Sequence, residues 1–434
     1  MSSQRLKLLT FNTWGLKYVS KHRRERLKAL ADKLAGEVDP RVKRLPDSDE
    51  LYPEDYNEDY DVVALQEIWC KEDWEYIVER CSEKYPYHRW FFSGILTGPG
   101  LAILSKIPIE STFLYRYPIN GRPSAVHRGD WYVGKSIAIT TLRNRKFPDT
   151  PIVIMNSHMH APYSLTGDAA YMCHRSCQAW DFSKMAKLYR DSGHAVIIVG
   201  DLNSRPGSLP HHLLTTETGL VDSWEQLHGK QDLEKIKVMN AMDQIVYSCT
   251  TCDSTLNTWR ATRRPDEACR LDYALVDPTR LRTIETGVRF TELIDDIGSF
   301  SDHFAYTCTL EVSCPEENKK ADQKLMDRIR IHEELESCIQ EYLNTAKKQK
   351  LLRGLHFWVS VILMIGTAVV TTFTSNKASW SSIFWVLFGI TLAVTGVIDG
   401  LISFLFGRSE IRALWEVENE VVDSRRYLEE LIHE

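Results

Sequence analysis

Short apolar runs that end in polar side chains recur along the first 312 residues of the chain. The clearest run extends from Ala195 to Val199, five β-branched or small apolar residues closed by Gly200, and this composition is typical of a buried strand. Asp201 and Asn203 follow at a spacing of two residues. Because side chains alternate along a strand, both are predicted to lie on the same side of its exposed end.

Five further segments repeat this arrangement, and we interpret each as a strand that ends at its polar residue. They are Leu8–Gly15, Asp61–Glu67, Ile152–His160, Arg270–Tyr273 and Ser301–His303, with polar positions Asn12, Glu67, His158, His160, Asp272, Asp302 and His303. Singly, each is as typical of a turn as of a functional site. Together they resemble the endonuclease/exonuclease/phosphatase superfamily. The resemblance implies an α/β fold, the deoxyribonuclease-like four-layered αββα sandwich.

Two long apolar stretches in the C-terminal part differ from the pattern of a soluble domain. Residues 355–374 carry no charge if His356 is neutral, and residues 380–406 are apolar apart from Asp399. Each reaches the roughly 20 residues that cross a hydrocarbon core. Only Ser375–Ser379 joins them, which predicts a two-helix transmembrane hairpin. Basic residues flank its outer ends, against a single lysine in the connection: Lys347, Lys348, Lys350, Arg353, Arg408 and Arg412, against Lys377. Positive-inside reasoning therefore predicts an integral membrane protein with the bulk of the chain in the cytosol.

Composition divides the chain into four predicted parts. Residues 1–312 form a catalytic domain, residues 313–354 a juxtamembrane helix or linker, residues 355–406 the hairpin, and residues 407–434 a C-terminal cytosolic helix. Apolar residues recur at helical spacing on both sides of the hairpin, which predicts two flanking amphipathic helices. Packing of these helices on each other within one chain is the simpler arrangement, and a homodimer through them or through the hairpin is the alternative.

Two N-terminal segments are predicted to lie at the surface. Arg23–Leu34 has apolar residues at helical spacing, and its charged side, with Lys17 and Lys21, is typical of a solvated face. A surface attracted to anionic lipid is the alternative. Residues 35–60 lack apolar periodicity, which predicts an insertion loop.

Net charge and cysteine usage narrow the partners and the compartment. A formal net charge of -6 argues against nucleic acid as the main partner, since proteins that bind it usually carry an excess of Lys and Arg. The ten cysteines show no repeating spacing, which predicts free thiols in a reducing compartment. Cys249 and Cys252 form a CxxC pair, more typical of a loop than of a zinc or redox site when no second pair accompanies it.

Gly129–Ser136 matches the phosphate-loop pattern GxxxxGK[ST] letter for letter. That pattern needs a following helix whose N-terminus receives the phosphates, whereas Ile137–Leu142 predicts a strand. A nucleotide-hydrolysing enzyme is therefore disfavoured. Asp130 and Lys135 remain candidate substrate or regulatory residues, because a lysine on a flexible loop can reach an anionic headgroup.

The polar residue types of these segments favour metal-assisted phosphate chemistry. Hard oxygen ligands without a thiolate select Mg²⁺, with Mn²⁺ as the alternative, and we predict Glu67, helped by Asn12, as the metal ligand. His303 is the predicted general base, because imidazole titrates near neutral pH, and Asp272 would hold its tautomer.

The remaining candidates would bind the attacking water and the phosphate. Asp201 and Asn203 would align the water and a phosphoryl oxygen, and His158 would donate a hydrogen bond as charge moves onto the phosphate. His160 and Asp302 lie beside these residues in the sequence and are further candidates for substrate or regulatory contacts.

Five motifs and the two apolar stretches together resemble the neutral sphingomyelinase family, and within it the fungal phospholipases C that act on inositol phosphosphingolipids. The motifs are Thr10–Gly15, Ser20–Arg23, Gln66–Trp69, His127–Lys135 and Asn156–Ala161. The resemblance implies Mg²⁺-dependent hydrolysis on the ceramide side of the phosphodiester, activation by anionic phospholipids, and residence in endoplasmic reticulum or mitochondrial membranes. It also implies that Asp130 and Lys135 form a switch whose pairing changes on activation.

These observations predict a membrane-anchored phospholipase C-type hydrolase that cleaves inositol phosphosphingolipids to ceramide and a phosphorylated headgroup. Anchoring would keep such an enzyme at a high effective concentration relative to its lipid substrate. Sphingomyelin as the main substrate is the alternative within this class. A tethered nuclease is disfavoured by the acidic charge balance. A catalytically silent lipid-binding scaffold is disfavoured because it would not need the full set of ionisable residues.

Overall fold

The computed structural model describes residues 4–52, 58–95, 97–125, 128–143, 150–312 and 322–433. The chain forms two compact units. The first comprises Met1–Asn120 and Tyr132–Ile331, and the second comprises Gly121–Trp131 and His332–Glu434. These units are defined by packing, whereas the predicted domain boundaries rest on composition and stay predictions.

Fifteen strands are found in the described residues, all within the first unit. In chain order they are β1 (Gln4–Asn12), β2 (Val42–Lys43), β3 (Val62–Gln66), β4 (Tyr87–Trp90), β5 (Ala102–Ser105), β6 (Ile109–Arg116), β7 (Ser136–Leu142), β8 (Ile152–His158), β9 (Ala195–Asp201), β10 (Val221–Asp222), β11 (Asp272–Val276), β12 (Leu281–Arg289), β13 (Leu293–Ile294), β14 (Gly298–Ser299) and β15 (Ala305–Val312).

These strands form two six-stranded sheets and one small sheet. The first large sheet has the order β12-β15-β1-β3-β5-β4, the second the order β10-β11-β9-β8-β7-β6, and β14-β13-β2 form the small sheet. Two pairs of neighbours are parallel, β1 with β3 and β8 with β9. By contrast, β15 is antiparallel to β1 and β11 is antiparallel to β9.

The helices of the first unit are α1 (Arg23–Ala35), α2 (Lys71–Cys81), α3 (Asp130–Val133), α4 (Met172–Asp191), α5 (Leu209–His212), α6 (Ser223–His228), α7 (Leu233–Val238) and α8 (Ala241–Ser248), of which α3 begins in the second unit. A π-helical turn, Leu213–Glu217, follows α5. The predicted helix after Arg23 is confirmed. Apolar residues of α1 and α2 are buried against one face of the first sheet, and α4 packs on β9 of the second.

Strand β1 shows how the two faces of the first sheet are used. Leu6 and Leu8 belong to the apolar core shared by the two sheets. Leu9 and Phe11 point to the other face and belong to the core formed with α1 and α2. This alternation gives successive layers of helix, sheet, sheet and helix, which confirms the predicted α/β sandwich.

One buried polar bridge joins the two large sheets beneath their common edge. Asn156 of β8 donates to the carbonyl oxygens of Leu65 and Ala102 at 3.1 Å each. Its own amide oxygen accepts from Nε2 of Gln66 at 2.8 Å. A buried amide is tolerated here because its hydrogen-bonding groups are satisfied by the opposite sheet.

Two predictions about loops have mixed outcomes. The insertion at residues 35–60 contains β2 and a 3-10 turn, Asp49–Leu51, so it is not wholly irregular, and residues 53–57 lie outside the described part. After Lys135 the chain enters strand β7 rather than a helix, which confirms that the phosphate-loop pattern has the wrong structural context. Cys70, Cys81, Cys249, Cys252, Cys269 and Cys308 are free thiols, as predicted.

The second unit consists mainly of three helices. They are α9 (Asp322–Thr374), which begins in the first unit, α10 (Ser381–Leu401) and α11 (Gly407–His433), with a π-helical turn, Ile402–Phe406, before the last. No helical break separates the predicted linker from the first apolar stretch, because nothing in the sequence there interrupts helical hydrogen bonding. Two helical stretches are long and apolar enough to cross a membrane by length and composition. They are Lys324–Thr374, within α9, and Ser381–Ile432, which runs through α10, the π-helical turn and α11.

Ion pairs between side chains hold these helices together within the second unit. Arg425 of α11 forms an ion pair with Glu336 of α9 at 3.1 Å, so the two amphipathic segments pack on each other. Asp399, the acid in the second apolar stretch, pairs with Arg353 and His356 at 2.7 Å each. The buried acid is therefore compensated by two basic side chains of the neighbouring helix.

Candidate active site

Polar residues from six strands meet where the two large sheets share an edge. Asn12 ends β1, Glu67 follows β3, and His158 and Asp201 end β8 and β9. The prediction that all six strands end at their polar residue is wrong for two of them. Asp272 begins β11, and His303 lies two residues before β15 begins. These strands run antiparallel to their neighbours, so their first residues lie at the edge where β1 and β9 end.

Asp201 lies at the centre of the group. Its side-chain oxygen Oδ2 accepts from Nδ2 of Asn12 at 2.9 Å. The same oxygen lies 3.6 Å from Nε2 of His158 and 3.8 Å from Nε2 of His303. On the neighbouring strand, Asp272 lies directly opposite Asp201 in the register. Two carboxylates and two imidazoles therefore share one small volume.

Asn12 joins the two sheets at this point. Its Nδ2 donates to Oε1 of Glu67 at 3.0 Å as well as to Asp201. Its Oδ1 accepts from the backbone N–H of Trp14 at 3.0 Å. The amide nitrogen therefore faces the carboxylates, and this contact positions Glu67 and Asp201. The role of Asn12 as a metal ligand stays a prediction.

Asp201 and Asn203 lie close together, but the expected exposure of this strand end is wrong. Asp201 is 1% exposed and Asn203 is 7% exposed, because the opposite sheet and the adjoining loops cover them. The backbone N–H of Asn203 donates to Oδ1 of Asp201 at 3.0 Å, and its Nδ2 donates to the carbonyl oxygen of Met159 at 3.0 Å. Asn203 has a φ of 48°, a left-handed conformation that Asn tolerates better than most residues.

His303 and Asp272 form a hydrogen-bonded pair of 2.8 Å between Nδ1 and a carboxylate oxygen. Both side chains are buried. The bond fixes the imidazole with Nδ1 toward Asp272 and Nε2 toward Asp201. This is the arrangement in which a carboxylate orients a histidine that exchanges a proton through its other nitrogen.

Burial and neighbouring charges shift the pKa values of these groups in different directions. Burial, with Asp272 opposite, raises the pKa of Asp201 to about 7. Burial, followed by the charge of Asp302, raises the pKa of Glu67. Burial and the charge of Lys135 hold the pKa of His158 well below its usual value. Burial by itself would lower the pKa of His303, but Cys252 and the carboxylates of Asp272 and Asp201 beside it raise this pKa well above its usual value.

The donor set fits a divalent cation. Glu67, Asp201 and Asp272 are carboxylates in a buried region, and hard oxygen ligands of this kind prefer Mg²⁺ or Mn²⁺. Burial raises the pKa of Glu67 and of Asp201, and a bound cation would offset the cost of keeping these two carboxylates charged. Asp201, Asp272 and His303 also offer three ligand atoms within 4.8 Å of one another, a second position that could hold an ion.

His158 offers a hydrogen-bonding nitrogen to a bound molecule. Its Nε2 faces the carboxylates of Asp201 and Glu67 at 3.6 and 4.0 Å. Its Nδ1 is buried and makes no hydrogen bond to the described residues. A buried polar atom without a partner is costly unless a ligand or water satisfies it.

Three of the four candidates for substrate or regulatory contacts lie in different surroundings. Lys135 is buried and donates to the carbonyl oxygen of Met159 at 3.3 Å. Asp130 is also buried but belongs to the second unit, so its pairing with Lys135 stays a prediction. His160 stacks on Tyr171 with ring centroids 4.1 Å apart.

Asp302 forms an ion pair of 2.5 Å with Arg260, a residue that the sequence patterns did not indicate. Arg260 lies in a polar stretch without periodicity, so no local signal singles it out. The sequence pattern does not single out Arg26 either, because the charged residues of α1 are typical of a solvated face. It is instead fully buried and donates to the carbonyl oxygens of Thr13, Trp14 and Phe300. Arg26 thereby fixes the loops that follow Asn12 and precede Asp302.

Known proteins share this sequence pattern. The family described as "Endonuclease/Exonuclease/phosphatase family" matches residues 9–303. The chain is 64% identical over 445 residues to the inositol phosphosphingolipids phospholipase C of Saccharomyces cerevisiae, covering 99% of this chain and 92% of that one. It is 34% identical over 433 residues to the protein of the same name in Schizosaccharomyces pombe, covering 97% and 94%.

A more distant relative is sphingomyelin phosphodiesterase 2 of Mus musculus, 34% identical over 233 residues, which cover 53% of this chain and 49% of the mouse protein. The family match covers more than half of this chain, and the two yeast relatives align over nearly all of it. The chain therefore belongs to the endonuclease/exonuclease/phosphatase family and, within it, to the family of the inositol phosphosphingolipids phospholipases C.

Proposed function

We propose that this protein is a Mg²⁺-dependent phosphodiesterase of the phospholipase C type that cleaves inositol phosphosphingolipids to ceramide and a phosphorylated headgroup. The substrate class comes from the yeast relative at 64% identity. The observation that carries the reaction type is the His303–Asp272 pair, whose second nitrogen faces Asp201 beside Glu67. A general base, a water-binding carboxylate and a metal-binding carboxylate are what hydrolysis of a phosphodiester requires.

In this proposal His303 takes a proton from the attacking water through Nε2. Asp272 holds Nδ1 in its protonated form and stabilises the imidazolium that results, because a carboxylate 2.8 Å away favours the positive charge. Asp201 lies 3.8 Å from Nε2 and accepts a hydrogen bond from the same water. The attacking water is therefore held by two fixed acceptors, Asp201 and His303, and His303 receives its proton.

Asn203 and His158 bind the phosphate. Nδ2 of Asn203 donates to the carbonyl oxygen of Met159, and its backbone N–H donates to Asp201, at 3.0 Å each, so the residue is held in place before substrate arrives. Nε2 of His158, which faces Asp201 and Glu67, donates to a phosphoryl oxygen as negative charge develops. His158 stays neutral in this role, because burial keeps its pKa well below the usual value.

Glu67 would hold the metal ion, and Asn12 positions its carboxylate. When bound, Mg²⁺ would neutralise charge on the phosphoryl oxygen and the departing alkoxide, and would lower the pKa of His303 by offsetting the nearby carboxylates. Mn²⁺ satisfies the same oxygen ligands and is the alternative.

The two apolar helices support a membrane-bound enzyme. In this proposal residues 355–374 and 380–406 form a transmembrane hairpin, and residues 1–312 face the cytosol. The membrane is that of the endoplasmic reticulum or the mitochondrion, and anionic phospholipids activate the enzyme, with Asp130 and Lys135 pairing differently in the active state. Mutual packing of the flanking helices suits a monomer, and a homodimer through them is the alternative.

Sphingomyelin is the second candidate substrate, because the mouse relative carries the name sphingomyelin phosphodiesterase 2. The test uses the purified full chain in detergent micelles with Mg²⁺. Inositol phosphoceramide, sphingomyelin, a glycerol-based phosphoinositide and plasmid DNA are compared as substrates. Inositol phosphoceramide is expected to be cleaved fastest, and DNA is expected to stay intact.

His303→Ala and Asp201→Ala are expected to lower the rate by roughly 10² to 10⁴. His88→Ala, an exposed histidine of β4, is the matched control and should keep full activity. Turnover of DNA in place of lipid, or full activity in His303→Ala, would overturn the proposal.

A further inference from the structure

A cavity of about 400 Å³, lined by charged as well as apolar side chains, opens beside Asn203 in the first unit. Its buried floor includes Arg175, Ser204 and Cys269, and its more exposed walls include Arg205, Arg263 and Glu267. We propose that this cavity is the subsite for a polyhydroxylated headgroup, and that Arg205 and Arg263, with Glu267 and Asp253, select it. The inference rests on the proposed function and names the residues that recognise its substrate.

The position of the cavity decides which part of the substrate can enter it. Asn203 belongs to both the phosphate-binding group and the cavity lining. A substrate whose phosphate is bound at Asn203 must therefore place one of its two ester substituents here. The lining carries three arginines and two carboxylates, which disfavours the apolar chains of a ceramide. The headgroup is the substituent that remains.

The charged side chains of the wall hold one another in place. Arg205 donates from a guanidinium nitrogen to the carbonyl oxygen of Glu267 at 2.8 Å. Arg263 lies 3.4 Å from Asp253 and 3.8 Å from the carboxylate of Glu267. Glu267 is itself fixed, because its other oxygen accepts from the backbone N–H of Arg264 at 2.9 Å. The donors and acceptors are thus arranged before a ligand binds.

This set of groups distinguishes between headgroup chemistries. A ring with several hydroxyls can donate to the carboxylates of Asp253 and Glu267 and accept from the guanidinium groups of Arg205 and Arg263. A trimethylammonium group makes none of these bonds and is recognised by enclosing aromatic side chains. Tyr163 is the aromatic residue of this lining within the described part of the chain, and it is half exposed. The chemistry therefore favours a cyclitol or sugar headgroup over choline.

The test compares two adjacent arginines in the full chain. Arg263 lines the cavity, whereas Arg264 is paired with Asp266 at the surface and does not line it. Both side chains are substantially exposed, at 45% and 67%, so either can be replaced by alanine without disturbing the core. The readout is the ratio of kcat/KM for inositol phosphoceramide to kcat/KM for sphingomyelin.

Arg263→Ala is expected to lower this ratio by about tenfold or more, since a lost charged hydrogen bond to a substrate hydroxyl discriminates strongly. Arg205→Ala should act in the same direction, and Arg264→Ala should leave the ratio at the wild-type value. A ratio that stays at the wild-type value in both Arg263→Ala and Arg205→Ala would overturn the headgroup inference, even if the enzyme hydrolyses sphingolipids as proposed.

Binding of the free headgroups separates this inference from the proposed function. Calorimetry on the full chain in detergent should show that inositol 1-phosphate binds more tightly than phosphocholine, and that Arg263→Ala removes most of this preference. If the wild type hydrolyses no sphingolipid but keeps the preference, the proposed function fails and the subsite stands. If it hydrolyses sphingolipids without the preference, the subsite fails alone.

Discussion

Asp272 begins β11 of one large sheet, His303 lies just before β15 of the other, and the two meet through a hydrogen bond of 2.8 Å between a carboxylate oxygen and Nδ1. Neither side chain is appreciably exposed. The bond therefore links the two sheets and at the same time fixes which imidazole nitrogen faces Asp201. A change to either partner should act on the orientation and the charge of the other.

Asp272→Asn keeps the shape of the side chain but removes its charge. An amide nitrogen facing Nδ1 would favour the opposite tautomer, and the imidazolium would lose its stabilising partner. We expect kcat to fall by roughly 10² to 10⁴, with a much smaller change in KM. Steady-state kinetics on a sphingolipid substrate measures both quantities.

The double variant Asp272→Asn/His303→Ala provides the control. Two residues that act as one unit lose little more together than His303→Ala loses alone. Additive losses in the double variant would mean that Asp272 acts independently of His303, and the assignment of the pair as one catalytic unit would be wrong.

Glu67→Gln tests where the metal ion is held. The carboxamide is almost the same size but lacks the charge that binds a cation, so the Mg²⁺ concentration for half-maximal activity should rise by about tenfold or more. High Mg²⁺ should restore much of the lost rate. Titration of activity with Mg²⁺ at saturating substrate is the measurement, and Glu75→Gln, on the exposed face of α2, is the matched control.

A different result would relocate the ion. If Glu67→Gln leaves the Mg²⁺ requirement unchanged while Asp272→Asn raises it, the ion binds at Asp201, Asp272 and His303 instead. His303 would then be a metal ligand, and a different group would have to serve as the base.

The sequence could predict one half of this site better than the other. Asn12, His158 and Asp201 end apolar runs, and the carboxyl ends of parallel strands meet at one sheet edge. The sequence does not show whether Asp272 and His303 end one strand or begin the next. Each has apolar residues on both sides, so the same pattern fits both placements. Only the antiparallel pairing of β11 and β15 shows that their first residues belong to the site.

Residues outside the strands were harder to place for a different reason. Arg26 occupies a helix whose charged residues are typical of a solvated face, and only the tertiary structure surrounds it with backbone carbonyl oxygens. Arg260 and Arg263 lie in a polar stretch with no hydrophobic period. Their contacts depend on loop conformation, which local sequence determines weakly.

Asn156→Ala should destabilise the sandwich. The amide of Asn156 satisfies the carbonyl oxygens of Leu65 and Ala102 and the side chain of Gln66, all buried between the sheets. Its removal takes one hydrogen bond from each of these buried groups, of which Gln66 keeps its contacts with Thr10 and Ala64, at a cost of about 3 kcal/mol. Denaturant unfolding of the full chain in detergent, followed by tryptophan fluorescence, measures the loss.

Ile154→Val, two residues away on β8, is the comparison for Asn156→Ala, with an expected cost of about 1 kcal/mol. A loss in Asn156→Ala no greater than this would show that the polar bridge contributes little to the packing of the sheets.

His211 should make the fold sensitive to acid. It is buried on α5, with Nε2 4.0 Å from Asp222, which is paired with Arg270. Burial and the charge of Arg270 lower the pKa of His211 to about 3. The unfolded chain, with an ordinary histidine pKa near 6.5, therefore binds a proton between about pH 6.5 and 3 that the folded chain does not bind.

The free energy of unfolding must then fall as the pH decreases through this window, by up to about 1.4 kcal/mol per pH unit from His211 alone. Above about pH 7 His211 is neutral in both states and makes no pH-dependent contribution. His211→Gln removes the titrating group, so its unfolding free energy should lose this component of the acid dependence. Unfolding free energies of the wild type and the variant at pH 7.5, 5.5 and 4.5 measure the difference, in which contributions from groups that do not interact with His211 cancel.

His211→Leu separates titration from packing. It changes the fit of the side chain differently from His211→Gln, so the two variants should differ from each other by a constant offset at every pH. Both should gain stability relative to the wild type by the same amount as the pH falls. A gain that depends on the replacement would mean that packing, and not protonation of His211, sets the acid response of this part of the fold.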